Sequence, residues 1–229
     1  MMKQILYLLG ITTLLSVPTY ESVDEHSTEI TSDIYYNIYT IKNGEMTFGV
    51  SETKPKNSDF YINSNFFTTE SSIGLVVIDR KRKSNRVDGG GFFYVKNGKP
   101  FVKVKECPRM TEHASQTILW GIDNGTVNTS LTKKAHAKRK RYRTLMGQNK
   151  KGDIIIISSN RIGFVTIQEI LDFSKKYEIV DGILLDGGTS VDYKFSDDNT
   201  TVEFASVPEK IKKEFDIKKP TTYIYGNFN

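Results

Sequence analysis

The segment of residues 180–190 constrains the possible folds of this chain more than any other. It reads Val-Asp-Gly-Ile-Leu-Leu-Asp-Gly-Gly-Thr-Ser. The apolar run at 183–185 is too short for a helix and predicts a buried strand. Asp186 then falls at the C-terminal end of that strand, where loops often carry functional residues. The fold must therefore end a buried strand in a carboxylate and a glycine turn.

The residues around this carboxylate are suited to binding polar ligands. Gly187 and Gly188 allow positive φ angles and close approach of a ligand, and their N–H groups could hold a phosphate or sugar oxygen. Thr189 and Ser190 add two hydroxyl groups. The same residues also fit a strand followed by a tight Asp-Gly turn, in which Asp186 bonds its own backbone. The motif alone leaves both interpretations open.

Length and composition indicate one globular domain. The chain has 229 residues, of which 38% are hydrophobic and 26% charged, which is too apolar for a disordered protein. The formal net charge of +5 comes from 32 basic and 27 acidic residues. This mild excess favours anionic partners but does not identify one.

The N-terminal segment predicts export. Lys3 precedes an apolar run at 5–17, and Pro18 and a polar stretch follow, which is the order found in secretory signal peptides. We therefore predict a signal peptide or N-terminal anchor over residues 1–20 and a protein that is secreted or held in the cell envelope. No Ala-x-Ala cleavage box occurs, so an uncleaved anchor or a buried N-terminal element stays open.

The cysteine and histidine content argues against several kinds of site. Cys107 is the only cysteine, so no disulfide can form within the chain. The three histidines are scattered, which makes a metal site built on Cys and His improbable. We predict no cofactor and no metal, although a cation bound by oxygen ligands alone stays open.

The region 21–58 is predicted to form an N-terminal hairpin ahead of a domain at 59–229. Residues 34–41 alternate between apolar and polar, 42–45 read Lys-Asn-Gly-Glu, and 46–50 are again mostly apolar. This pattern is typical of two strands joined by a tight turn, so we expect the two strands to pair.

The following segments also predict antiparallel strands. Residues 60–62 form a short buried strand, 74–79 form another, and 80–88 are expected to be a charged loop. A strand at 92–95 then enters the turn Lys-Asn-Gly-Lys at 96–99, which is a hairpin signal.

Three further polar residues, Asn63, Gln116 and Asp88, are candidates for a binding site. Asn63 follows a predicted strand and could face a ligand, but a turn asparagine fits equally well. Gln116 is a candidate ligand contact, whereas locally a solvated or capping glutamine is the more common role. Asp88 also precedes glycines, but a charged run and a hairpin flank it, so we predict a loop there.

The most basic window, residues 133–143, permits two interpretations. Its lysines and arginines could form a nucleic-acid patch, but Tyr142 is its only aromatic residue, so a solvated loop is favoured. Arg143 lies at the edge of a predicted strand hairpin around the turn at 150–152. A guanidinium fixed there suits a phosphate, which it can bind bidentately.

The clearest helix begins at a capping box formed by Thr166 and Glu169 and runs over about 167–177. After this helix we predict a strand ending at Asp186, a loop at 192–201, a second helix at 207–215 and a final strand at 221–226. The predicted fold is α+β, with twisted, mostly antiparallel or mixed sheets and one or two packed helices in a single domain.

Taken in order, five blocks resemble the phosphodiester glycosidase family. The blocks are Asn-Ser-Asn-Phe-Phe at 63–67, Gly-Leu-Val-Val-Ile at 74–78, Ala-Ser-Gln at 114–116, Arg-Thr-Leu-Met-Gly at 143–147 and Leu-Asp-Gly-Gly-Thr-Ser-Val at 185–191. The sequence departs from the family pattern at several points. Ser64 and Asn65 replace two glycines, Thr189 replaces a third, Val191 replaces a serine, and 117–119 lack the usual Gly-Pro. We expect these changes to narrow or reshape the pocket.

The resemblance implies an exported hydrolase that cleaves a sugar 1-phosphodiester at the anomeric carbon, on cell-surface or extracellular glycans. It implies catalytic roles for Asp186 and Arg143. It also implies substrate contacts from Asn63, Gln116, Gly187, Gly188, Thr189 and Ser190. The implied partner is a phosphorylated sugar or glycan rather than a nucleic acid, with membrane contact only through an uncleaved N-terminus.

Two matters stay open. The usual scheme with two carboxylates lacks its second member, for which Glu70 and Asp79 are the candidates. A degenerate member of the family could also bind an anionic glycan without cleaving it, and a nucleic-acid binder using residues 133–143 is the third alternative.

Overall fold

The computed structural model describes residues 28–68, 71–106, 109–214 and 222–229. The predicted signal segment, Glu70 and Cys107 lie outside these residues. Within the described part of the chain, no helix is both long and apolar enough to cross a membrane.

A seven-stranded sheet forms the largest layer. Its strands, in spatial order, are β1 (Glu29–Ser32), β2 (Tyr36–Ile41), β13 (Ile154–Ser159), β12 (Thr144–Asn149), β14 (Ile179–Leu184), β10 (Leu119–Asp123) and β11 (Thr126–Val127).

Two five-stranded sheets complete the architecture. The second sheet contains β16 (Thr201–Ala205), β15 (Asp192–Ser196), β4 (Phe60–Asn63), β17 (Tyr223–Phe228) and β3 (Met46–Ser51). The third sheet contains β6 (Lys81–Ser84), β5 (Val76–Ile78), β9 (His113–Thr117), β7 (Gly91–Lys96) and β8 (Lys99–Val104). The strand pairs described for these sheets are all antiparallel, and the helices are short, so the α+β prediction is confirmed.

The described residues contain the α-helices α1 (Thr129–Thr132), α2 (Ile167–Ser174) and α3 (Glu209–Glu214). The predicted capping box is present at the start of α2. The Thr166 hydroxyl accepts a hydrogen bond from the Glu169 N–H at 3.1 Å, and the Thr166 N–H donates to the Glu169 carboxylate at 2.6 Å. A 3-10 turn, Lys175–Tyr177, extends the helix to the predicted end.

Two cores cover the two faces of the seven-stranded sheet, which explains the uninterrupted isoleucines of β13. Ile154 and Ile156 face a core shared by all three sheets, whereas Ile155 and Ile157 face a second core under α2. Strands buried on both faces read as continuous apolar runs rather than alternating ones. The same holds for β14, where Ile183 lies in the first core and Leu184 in the second.

The predicted hairpin between β2 and β3 is wrong. The turn exists, because the Glu45 N–H donates to the Lys42 carbonyl at 3.2 Å. However, β2 pairs with β1 and β13, whereas β3 pairs with β17 in the second sheet. Every residue of β2 is buried, so the strand needs neighbours on both edges and cover on both faces, which one hairpin partner could not supply.

Two predicted loops are also strands in part. Residues 192–201 contain β15, whose Tyr193 and Phe195 are fully buried, and the chain then turns into β16. The charged segment 80–88 contains β6, an edge strand that pairs with β5. The predicted hairpins at β7–β8 and β12–β13 are confirmed, as are a helix near 207–215 and a final strand near 221–226.

Candidate active site

Asp186 lies where the first two sheets meet. It follows β14, a central strand flanked by β12 and β10. The N–H of the preceding Leu185 donates to the Thr144 carbonyl at 3.1 Å, while the Asp186 N–H donates to the Ser64 carbonyl at 2.9 Å. The backbone of this aspartate is therefore fixed by bonds to two different sheets.

The two glycines after Asp186 allow the loop to pack against Tyr142. A Cβ atom on Gly187 would lie 2.7 Å from the Tyr142 carbonyl oxygen, which is too close for any other residue without movement. Gly188 has a φ of +65° and donates its N–H to the same carbonyl at 2.8 Å. Gly188–Ser190 then form a 3-10 turn, on which Thr189 is exposed.

Burial changes the proton affinity of the Asp186 carboxyl. The side chain is half-buried, and loss of hydration raises its pKa to about 6. Hydrogen bonds from the Ser190 side chain and the Gly187 backbone oppose this rise, because they stabilise the carboxylate. The group can therefore exchange a proton close to neutral pH.

Arg143 immediately precedes the neighbouring strand β12 and lies level with Asp186. The antiparallel register pairs Leu145 with Leu184, so its continuation brings Arg143 opposite Asp186. The Arg143 Cα would lie only 3.7 Å from a Cβ atom placed on Gly187. The structure therefore places the backbones of these two residues side by side, and no described contact joins their side chains.

The Arg143 guanidinium is held by carbonyl groups rather than by a carboxylate. Its Nη2 donates to the His136 carbonyl at 2.9 Å and to the Arg139 carbonyl at 3.0 Å. Its Nε is buried without a hydrogen-bond partner, and burial and the nearby Arg141 lower its pKa. Among the described ion pairs, none involves Arg143 or Asp186, so the positive charge is not neutralised within the site.

Asn63 is fully buried and fastens both ends of the Asp186 loop. Its Nδ2 donates to the Asp186 carbonyl at 2.9 Å, and its Oδ1 accepts from the Asp192 N–H at 3.0 Å. The side chain thus positions the loop through its backbone.

Gln116 is also fully buried but holds a different loop. Its Oε1 accepts from the N–H groups of Leu75 and Val87 at 3.0 and 3.1 Å. Its Nε2 donates to the carbonyls of Val87 and Gly89 at 2.7 and 2.9 Å. Both donors and both lone pairs of the amide are occupied, so the side chain is not directed to the Asp186 loop.

Ser64 and Asn65, two of the three residues that replace family glycines, belong to a buried polar network. Asn65 Nδ2 donates to the carbonyls of Gln116 and Ile73 at 2.7 and 3.3 Å, and the Ser115 hydroxyl donates to the Ser64 hydroxyl at 2.9 Å. Ser64 and Asn65 are each at most 1% exposed. Because these side chains point into this network, they leave the surface of the site open.

Sequence reasoning missed Asp192, a buried carboxylate beside the site. The sequence placed it in a loop, although the alternation at 192–196 was a strand signal. Its carboxylate accepts from Lys54 Nζ at 2.9 Å and from the Tyr223 hydroxyl at 3.1 Å. It is therefore paired within the protein. Asp79, a candidate second carboxylate, is 80% exposed and lies 3.5 Å from His113.

The sequence shows Tyr142 only as an aromatic residue in the basic window, whereas in the structure its carbonyl contacts both glycines of the Asp186 loop. Its ring packs on Phe164 with centroids 4.3 Å apart, and its hydroxyl donates to the Arg161 carbonyl at 3.1 Å. No group of three or more His, Cys, Asp and Glu side chains in the described ranges is arranged to hold a metal ion.

Comparison with known proteins gives one family and several related folds. The family model for phosphodiester glycosidase matches residues 34–213. The catalytic domain of zebrafish N-acetylglucosamine-1-phosphodiester alpha-N-acetylglucosaminidase, auto-inhibited by its pro-peptide, superposes with a TM-score of 0.63 at 12% identity. That match covers 88% of this chain and 82% of the zebrafish chain.

Two bacterial structures share the fold more distantly. A hypothetical protein from Synechocystis has a TM-score of 0.60 at 10% identity, with 88% of this chain and 61% of that chain covered. A protein of Burkholderia pseudomallei K96243 that is predicted to be exported has a TM-score of 0.54 at 10% identity, with 84% and 74% covered. No curated protein matches the sequence.

Proposed function

The chain belongs to the phosphodiester glycosidase family, and on that premise we propose that it is an exported hydrolase of sugar 1-phosphodiesters. The bond to be cleaved joins an anomeric carbon to a phosphate on a cell-surface or extracellular glycan. The observation that supports this most strongly is the half-buried Asp186, with a pKa of about 6, level with Arg143, which immediately precedes the adjacent strand and forms no ion pair within the described residues.

In the proposed reaction, Asp186 acts as the general base. A pKa near the working pH suits proton transfer, because the carboxylate is mostly ionised at neutral pH yet still accepts a proton. Water attacks the anomeric carbon and gives its proton to Asp186, while the bond from that carbon to the phosphate oxygen breaks. The bonding electrons leave with the phosphate, which remains on its acceptor.

Arg143 acts on the leaving group in this scheme. Phosphate needs little help from a general acid, because its negative charge is already well stabilised, and a fixed cation stabilises it further. The carbonyls of His136 and Arg139 orient the guanidinium without cancelling its charge. This division of labour would explain a site with one unpaired carboxylate and one unpaired cation.

The remaining residues receive two kinds of role. The N–H groups of Gly187 and Gly188 and the hydroxyls of Thr189 and Ser190 would contact sugar or phosphate oxygens. Asn63 and Gln116 would position backbone segments, since their amides bond within the protein. Export is supported by the sequence of the N-terminal segment, and the Burkholderia protein of similar fold is likewise predicted to be exported.

The second candidate function is binding of an anionic glycan without cleavage. The replacement of family glycines by Ser64 and Asn65 favours it, because such changes accompany loss of activity in degenerate enzymes. Their burial in the polar network weakens this argument, since the two side chains do not project from the surface of the site.

The test is release of free sugar from a UDP-sugar or a synthetic sugar 1-phosphodiester by the full chain. We expect turnover by the native chain and a loss of at least about 100-fold in both Asp186→Asn and Arg143→Ala. Asp88→Asn and Lys99→Ala, which change exposed residues of the third sheet and its loops, are the matched controls and should retain activity. Binding of a glycan without turnover, abolished in the same two variants, would establish the second candidate instead.

A further inference from the structure

A second, arginine-rich cavity lies on the third sheet. It has a volume of about 300 Å³, and an adjoining cavity of about 550 Å³ shares Arg80, Arg109, Met110 and Thr111 with it. The arginines that line the first cavity are Arg80, Arg82, Arg86 and Arg109, and Lys96 lines the second.

The charges of this cavity are not balanced by its own acidic residues. Glu112 is the only acidic residue among those lining the two cavities, and its carboxylate lies 3.5 Å from Arg80. Arg82 and Arg86 donate instead to the carbonyls of Ser84 and Lys105, at 3.1 and 3.5 Å. Carbonyl groups do not cancel a positive charge, so at low salt the four exposed arginines form a surface of net positive charge that attracts anions.

The backbone around the cavity is held in uncommon conformations. Arg80 and Met110 both have a φ of +64°, in the left-handed region that residues with a side chain rarely adopt. The Arg80 N–H donates to the Glu112 carbonyl at 2.8 Å, which ties the two cavity walls together. At Arg80 this conformation belongs to the two-residue turn Asp79–Arg80 that joins β5 to β6, where both residues have positive φ, so the turn fixes the position of the arginine beside the cavity.

Protection of an exposed sheet edge explains only part of this cluster. Charged residues on an edge strand prevent association between sheets, and Arg82 lies on the edge strand β6. Arg86 and Arg109 lie outside every strand, and the guanidinium of Arg86 instead stacks over the Phe92 ring at 5.4 Å. Their convergence on one concave surface therefore needs a different reason.

The strand β9 connects this cavity to the candidate active site. Thr111, just before β9, lines the cavity, and Thr117 at its end donates its hydroxyl to the Leu184 carbonyl at 2.5 Å. Six residues of extended chain span about 20 Å. A ligand that reaches both places must therefore be longer than one sugar 1-phosphodiester and must carry more than one anionic group.

We propose that the arginine cavity binds phosphates of the same substrate chain, at least one repeat away from the bond that is cleaved. The substrate class is then a polymer of sugar units joined through 1-phosphodiesters. This inference rests on the proposed function and extends it, because it distinguishes polymer from short substrates. Guanidinium groups bind phosphate oxygens in a bidentate manner, which fits a row of arginines to a row of phosphates.

The test compares two substrates that share one linkage, a short sugar 1-phosphodiester and a polymer of the same unit. The full chain is assayed beside the triple variant Arg80→Gln, Arg82→Gln, Arg109→Gln. A control, Lys56→Gln, Lys151→Gln, Lys213→Gln, removes the same charge from exposed positions elsewhere. We expect the arginine variant to raise KM for the polymer about tenfold at low salt, with kcat and the short substrate unchanged. The control should match the native chain.

A binding measurement separates failure of this inference from failure of the proposed function. Inorganic polyphosphate, titrated calorimetrically, should bind the native chain and the lysine variant, and the arginine variant about tenfold more weakly. If no substrate is cleaved but polyphosphate binds in this pattern, the anion site stands and the hydrolase proposal falls. Unchanged polymer KM in the arginine variant, or equal weakening in the lysine variant, would overturn the inference. Tighter binding of an oligonucleotide than of the polymer would assign the cavity to a different ligand class.

Discussion

Two Asp-Gly-Gly segments in this chain have the same sequence and different environments. One begins at Asp88 and the other at Asp186. Each is fastened by a fully buried amide, since Gln116 donates to the Gly89 carbonyl and Asn63 donates to the Asp186 carbonyl. In each, one glycine faces a carbonyl so closely that a Cβ atom would collide with it.

The difference lies in the strand that each segment follows. Asp186 ends a strand in the middle of the largest sheet, so it is half-buried and its pKa is raised to about 6. Asp88 follows a charged edge segment and is exposed. Arg143 lies just before the neighbouring strand β12 and opposite Asp186 in the register, whereas the second loop follows an edge strand. The burial and the pKa of the aspartate in this short motif thus depend on the strand that the motif follows and on the residues beside it.

The largest expected effect is on catalysis. Asp186→Asn removes the proposed base while keeping its shape, so the rate of sugar release should fall by about 10² to 10⁴. Asp88→Asn makes the same change in the exposed loop and should leave the rate within about twofold, in the same assay. Equal losses of rate in Asp186→Asn and Asp88→Asn would show that the two aspartates do not differ in their effect on catalysis.

The next effect is on stability and concerns the glycines. Gly90→Ala combines a φ of +75° with a Cβ only 2.0 Å from the Thr117 carbonyl, so we expect a loss of at least about 3 kcal/mol. Gly89→Ala has a similar φ of +73° but open space around it, so about 1 kcal/mol should be lost. Urea denaturation measures both. In Gly187→Ala the new Cβ atom would lie 2.7 Å from the Tyr142 carbonyl oxygen, so its loss of stability should lie between those of the other two variants. This variant should also reduce activity.

Substitution of the two buried amides, Asn63 and Gln116, should affect stability and activity differently. Asn63→Ala and Gln116→Ala each leave buried backbone groups without a hydrogen-bond partner, so each should lower the free energy of unfolding by about 2 to 3 kcal/mol. Only Asn63→Ala should reduce kcat, because it alone releases the Asp186 loop. Thermal unfolding and sugar release on the same samples check this. A selective loss of kcat in Gln116→Ala would instead support a direct role for Gln116 at the substrate.

The smallest expected effect is a pH dependence of stability. Because its pKa is raised, the folded chain holds the Asp186 proton more tightly than the unfolded chain does. The stabilising contribution is therefore complete below about pH 4 and is lost as pH rises through about 6. Relative to Asp186→Asn, the native chain should lose about 1 to 2 kcal/mol between pH 4 and 7, allowing for partial solvent exposure. A native curve parallel to that of Asp186→Asn would contradict the raised pKa of Asp186.

Local features of the fold could be read from the sequence because their hydrogen bonds are local. The capping box at Thr166 and the hairpin turns at 96–99 and 150–152 involve residues a few positions apart. The partners of β2 and β3 could not be read in this way. Their neighbours, β13 and β17, lie far along the chain, and the turn between β2 and β3 is compatible with either arrangement.

The residues of the candidate site also differ in whether their roles depend on local or on long-range contacts. Asp186 and Arg143 stand out because each lies at a predicted strand end, and their juxtaposition follows from the pairing of β12 with β14. The functions of the two amides depend on contacts between distant segments, such as that of Asn63 with Asp192, so the sequence showed the residues without their partners. The arginine cavity is similar, because Arg109 joins it from a separate segment.

The most direct test of the central claim is hydrolysis of a sugar 1-phosphodiester in water labelled with oxygen-18. Attack at the anomeric carbon leaves the original oxygen on the phosphate, so the released phosphate monoester should contain no label by mass spectrometry. Label in the phosphate would show attack at phosphorus. That result would contradict the assignment of this chain as a glycosidase acting through Asp186.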